Sequence, residues 1–81
     1  MEHSHYFKSV AHLTHIDVYR VLALFEVTDP SIQHAVKKLL CAGKRGQKDV
    51  GRDYQEAIDS INRALQMIAE DAARTTDNKE Q

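Results

Sequence analysis

The sequence is poor in most of the features that mark a specialised chain. Its 81 residues include one cysteine, Cys41, one proline, three glycines and 6% aromatics. A lone cysteine excludes an internal disulfide and fits a reducing compartment. No apolar run approaches the roughly 18 residues of a membrane span. The start, Met1-Glu2-His3-Ser4-His5, lacks the basic and apolar regions of a signal peptide. These absences predict a cytoplasmic protein with no membrane partner. The net charge of −1 excludes a polycation. The basic cluster is compact and aromatics are few, so nucleic acid is not expected as a partner. Length is scarce too. One small domain is the limit, and such a chain buries only about 60% of its unfolded surface. Without a disulfide or an evident metal site, homo-oligomerisation is the expected further source of stability. Little room is left for an enzyme with a lid and two substrate sites.

The composition that remains, 42% hydrophobic and 28% charged, is that of an ordinary globular chain. Residues 1–14 are histidine-rich and aperiodic, so an irregular segment is expected there. Thr14, with Asp17 three residues on, suggests an N-cap for a first helix. The apolar residues from Ile16 to Phe25 spread around that helix too widely for a thin stripe, which predicts a central helix touching two neighbours. Asp29-Pro30 marks the next start, with Asp29 as cap and Pro30 in the first turn. Ile32, Ala35, Val36, Leu39 and Leu40 then follow helical spacing without a miss. Gln33, His34, Lys37, Lys38 and Cys41 lie off that stripe, and Gly43 suits the position after the helix.

All three glycines fall between Gly43 and Gly51, which predicts a loop. A third helix should start between Asp49 and Asp53 and run to about Ala73. Its stripe is Tyr54, Ala57, Ile58, Ile61, Leu65, Ile68 and Ala72, and Asp59 with Arg63 forms an i,i+4 pair. Residues 74–81 hold no apolar side chain and read as a disordered tail. The expected fold is therefore all-α. It is one three-helix domain over residues 1–73, with the second and third helices as an αα-hairpin around a Gly/Lys/Arg loop.

Electrostatics supply the strongest local signal. From residue 37 to 52 the chain carries Lys37, Lys38, Lys44, Arg45, Lys48 and Arg52 against Asp49 alone, a local charge of about +5. Backbone N–H groups freed by Gly43 and Gly46, beside a helix start, make a phosphate-binding loop one reading. A solvated loop is the other. A P-loop is excluded by the spacing and by the lack of a preceding strand. His34 shares a helix face with Lys37, Lys38 and Cys41, where it either hydrogen-bonds a phosphate or base or sits on the surface. His3-x-His5 and His12-x-x-His15 could bind a metal, but nothing fixes them on a helix face and no Cys or acid stands at ligand spacing, so polar N-terminal residues are the favoured reading. Asp53, Glu56 and Asp59 are weak candidates for holding Mg²⁺, with a solvated acidic face as the alternative. Cys41 has no legible base or orienting partner and reads as a structural thiol. No catalytic residue and no cofactor is expected from these spacings.

Several short segments carry a resemblance. They are His5-Tyr6, Ile16-Asp17-Val18, Ala35-Val36-Lys37, Ala42-Gly43-Lys44, Asp53-Tyr54-Gln55-Glu56-Ala57-Ile58 and Arg63-Ala64-Leu65. In that order the chain, over about residues 5 to 68, resembles a small phage-encoded helical domain labelled a nucleotide kinase. Lys38 stands where that family tends to have Tyr, Cys41 where it has Arg, Glu56 where it has Lys and Ser60 where it has Tyr. His5, Tyr6, Lys37, Lys44, Asp53 and Arg63 match. The resemblance implies phage or prophage origin, nucleotide handling and oligomeric assembly in a bacterial host cell.

Together these readings predict a nucleotide or cyclic nucleotide ligand. Lys37, Lys44, Arg45 and Arg63 would contact phosphate, Lys38 and Lys48 are further ligand-binding candidates, His5 or His34 would hydrogen-bond, and Tyr6 or Tyr54 would stack on the base. A protein of this kind resembles the sponges that sequester host defence signals. A nucleoside monophosphate kinase and an inhibitor of a host protein are the alternatives.

Overall fold

The structure is a computed structural model. It describes the backbone of residues 4–44 and 49–80, and side chains for residues 5–44 and 49–74. Every regular element among the described residues is helical: a 3-10 turn at Ser4–Tyr6, then α1 (Val18–Leu24), α2 (Pro30–Leu40) and α3 (Val50–Glu80). No helix there is long and apolar enough to cross a membrane.

Each start has a local cause. Asp17, not Thr14, caps α1, because its carboxylate accepts the Arg20 N–H at 2.9 Å. The Thr14 hydroxyl instead lies 3.0 Å from His15 Nδ1. Asp29 caps α2 as expected, accepting from the Ser31 N–H at 2.8 Å and the Ile32 N–H at 3.2 Å. Pro30 occupies the first turn, where its missing donor costs nothing. Asp49 does the same for α3 by accepting the Gly51 N–H at 2.9 Å. Having neither proline nor glycine after Gly51, α3 continues past its expected end at Ala73 to Glu80.

The helix ends are equally specific. α1 closes in a Schellman arrangement, with Val27 N–H donating to Leu22 O at 3.0 Å and Glu26 N–H to Ala23 O at 3.2 Å. Glu26 takes the left-handed position, φ 56, that glycine usually fills. After α2, Gly43 has φ +71, and a Cβ there would lie 3.2 Å from the Val50 Cβ. Glycine is needed at that point for both conformation and space.

The three helices lie in a row. α2 packs against α3 and, less extensively, against α1. The middle position expected of α1 therefore belongs to α2. α1 is only seven residues long and buries Leu22 alone, while Tyr19 is 69% exposed. Lys8 lies over the Phe25 ring at 5.4 Å and links the irregular N-terminal segment to the end of α1.

The α2–α3 contact is made of small side chains and buried charge. Ala35 on α2 and Ala57 and Ala64 on α3 are all buried. Lys38 and Asp53 are buried there as well, at 7% and 1% exposure. Lys38 Nζ lies 2.7 Å from Glu56 Oε1 and 3.8 Å from Asp53 Oδ1. Asp53 Oδ2 also accepts the Gly43 N–H at 2.8 Å, which fastens the end of α2 to the first turn of α3. Removing one member of a buried charge pair costs about 3–5 kcal/mol. Lys38→Ala should therefore lower the denaturation midpoint far more than Lys44→Ala, whose residue is exposed. Urea unfolding followed by circular dichroism measures the difference.

Candidate functional site

An open cleft of about 590 Å³ runs between α1 and α2. Tyr19, Leu22 and Ala23 form its α1 wall. Glu26, Val27 and Thr28 close one end, and Pro30, Gln33, His34 and Lys37 form the α2 wall. Helical rise places Lys37 about 10 Å along α2 from Pro30, so the cleft has a cationic end and an end beside Glu26. Gln33 fixes the floor by donating its Nε2–H to Val27 O at 2.8 Å. At the cationic end Lys37 Nζ lies over the Tyr19 ring, 5.6 Å from its centroid. His34 and Lys37 also border a smaller adjoining cavity of about 80 Å³, with Val18, Lys38 and Cys41.

This arrangement offers three kinds of contact. The Tyr19 ring presents an apolar face, and it is two-thirds exposed. Lys37 and His34 present donors for an anion. Glu26 presents an acceptor at the opposite end. The α2 N-terminus itself is already occupied by the Asp29 carboxylate, so anion binding in the cleft falls to side chains.

The basic cluster read from the sequence is divided by the fold. Lys37 enters the cleft. Lys38, expected beside it as a ligand-binding candidate, turns into the α2–α3 contact and pairs with Asp53 and Glu56. Those two carboxylates, expected on a solvated or Mg²⁺-holding face, are drawn to that ammonium. One helical step of about 100° separates Lys37 from Lys38, and packing Ala35 against α3 carries Lys38 inward with it. Arg52 bonds Glu56 through Nε at 3.3 Å. Lys44 is exposed beyond the end of α2. Arg45 and Lys48 lie outside the described residues, as does His3.

The remaining expected ligands stand apart from the cleft. His5 and Tyr6 are exposed and in mutual ring contact, with centroids 4.0 Å apart. Tyr54 is half-exposed on α3. Arg63, also on α3, donates to Glu70 Oε2 at 3.0 Å and Gln66 Oε1 at 3.3 Å rather than pairing with Asp59. Asp59 instead accepts from Gln55 Nε2 at 3.0 Å. Cys41 is half-buried. No group of three or more His, Cys, Asp or Glu among the described residues is placed to hold a metal ion.

Tyr19 and Glu26 were not legible as site residues. Tyr19 falls within an apolar run and counts there as core. Glu26 is revealed only by its backbone, since a non-glycine at a helix-ending left-handed position carries a strain of roughly 1 kcal/mol. Compared with protein-family models, curated proteins and solved structures, the chain matches none.

The strain at Glu26 gives a direct expectation. Glu26→Gly should raise the melting temperature by a few degrees, the shift that about 1 kcal/mol produces in a domain of this size. A differential scanning calorimetry trace with an unchanged or lower midpoint would show that the Glu26 side chain contributes to stability.

Proposed function

We propose that the protein binds a phosphorylated nucleotide in the α1–α2 cleft, acting as a binding protein rather than an enzyme. The observation that carries this reading is the Lys37 ammonium held over the Tyr19 ring, beside His34, on the wall of a cavity large enough for a nucleotide. Phosphate goes to Lys37 and His34, the base packs on Tyr19, and Glu26 accepts from base or ribose donors at the other end. Lys37 is also the residue at which the family resemblance and the cleft coincide. Two of the three carboxylates named for Mg²⁺, Asp53 and Glu56, are committed to Lys38, which favours binding over phosphoryl transfer.

On this reading the protein is a phage-type homo-oligomer in the cytoplasm of a bacterial cell, and its ligand is a nucleotide used as a signal, cyclic nucleotides included. Holding such a ligand without turning it over would sequester a host defence signal. The open cleft suits a ligand taken up directly from solution.

Thermal-shift screening with mono-, di- and cyclic nucleotides tests the proposal. At least one should raise the melting temperature, and Lys37→Ala should weaken its binding by about tenfold or more, the loss expected for a charge-assisted contact. Tyr19→Ala should weaken it as well, while Lys44→Ala should leave it nearly unchanged. Binding that depends on Lys44 and not on Lys37 would return the site to the loop. No shift with any nucleotide removes the function.

A further inference from the structure

The side of α3 next to its α2 contact is apolar, regularly spaced and open. Tyr54, Ile58, Ile61, Leu65, Ile68 and Ala72 are separated by four, three, four, three and four residues. That is the a/d spacing of a coiled-coil seam, which fits another helix of the same period. α2 does not cover it: Tyr54 is 50% exposed, Ile58 49%, Leu65 57% and Ile68 65%. The seam widens onto α2. Lys38, Asp53 and Glu56 mark one side of the α2–α3 pair, and helical geometry carries Leu39 and Leu40, each 52% exposed, to the other side together with the seam.

The bulk dimensions also exceed those of a compact monomer. A folded monomer of this mass exposes about 4,900 Å², whereas this chain exposes 6664 Å². Its radius of gyration is 16.9 Å, against about 12 Å for a compact domain of its length.

We infer that the occupant of this face is a second copy of the chain, with its α3 antiparallel to the first about residue 63. That register sets the largest seam residue, Tyr54, against the smallest, Ala72 of the partner subunit. It also sets Ile58 against Ile68 of the partner subunit, and Ile61 against Leu65 of the partner subunit. A parallel arrangement would stack Tyr54 on itself and leave a gap at Ala72. Antiparallel helices further align their dipoles favourably. The flank on the open side, Gln55, Asn62 and Ala69, is uncharged, so no like-charge pair opposes self-association. Leu39 and Leu40 then reach the Ile68 end of the partner helix. This interface gives the proposed homo-oligomer a definite surface, and it does not depend on the nucleotide reading.

Sedimentation equilibrium and disulfide trapping test it. The unmodified chain should sediment at twice its monomer mass or an even multiple, and Leu65→Asp should halve the assembly while keeping its helical circular dichroism. A monomeric unmodified chain would mean that the face serves a different protein, and would overturn the inference. For the register, Ile61→Cys and Leu65→Cys are made separately in a Cys41→Ser background, then mixed, refolded together and oxidised. Mixed dimers should form from Ile61→Cys with Leu65→Cys, and each variant alone should cross-link poorly. Efficient cross-linking of each variant with itself would establish the parallel arrangement and overturn the antiparallel one. The trapping arm stands even where Leu65→Asp fails to fold. Nucleotide binding measured on the same samples separates failure of the interface from failure of the ligand proposal.

Discussion

The contact of Lys38 with Asp53 and Glu56 sets the geometry on which the rest of this small protein depends. A buried ammonium must sit against its carboxylates, so α2 has little freedom to rotate on α3. Ala35, Ala57 and Ala64 let the two helices approach closely, and the Gly43 N–H bond to Asp53 fixes the chain where α2 ends. With Lys38 turned inward, helical geometry assigns its neighbours. Lys37 is carried toward α1 and the cleft, while Leu39 is carried to the opposite side with the α3 seam. One ion cluster thus determines which residues line the cleft and which join the exposed apolar face of α3.

Much of the helical layout could be read from the sequence, because its punctuation is strong. Asp29-Pro30 fixed one helix start, the glycines marked the break before α3, and Tyr54 to Ala72 kept one period for nearly twenty residues. The failures have common physical causes. Charged residues were assigned to the surface by type, but Lys38 lies three positions from Ala35 and Asp53 four from Ala57, on the faces that pack together. Around α1, local polar chemistry chose between competing caps, and Asp17 reaches the Arg20 N–H where Thr14 does not. An apolar run there suggested a central helix, yet seven residues bury little in a single chain. Arg63 had Asp59 within reach one turn before it, but bonded forward to Gln66 and Glu70 instead. Such exposed pairs differ by less than about 1 kcal/mol, too little to be settled by spacing.

The site changed character in the same way. In the sequence, lysines and arginines close together look like one anion-binding surface. In the fold they serve different purposes: Lys37 lines a cleft, Lys38 stabilises a helix pair, and Arg52 bonds Glu56 at the surface. What marks the cleft is not charge density but the combination of an accessible ring, a cation beside it and a strained Glu26 closing one end. Only Lys37 and His34 were legible in advance. Tyr19 needed the position of α1 against α2, and Glu26 needed its backbone angle.

The row α1–α2–α3 places the cleft and the apolar seam on opposite flanks of α2. Lys37 and Leu39 are two residues apart yet serve different surfaces. Such a division lets the two surfaces diverge independently. Residues lining the cleft can be exchanged without disturbing the apolar face of α3. The tightest limit on that drift is Lys38, the residue between them, which neither surface can vary without losing the orientation of both.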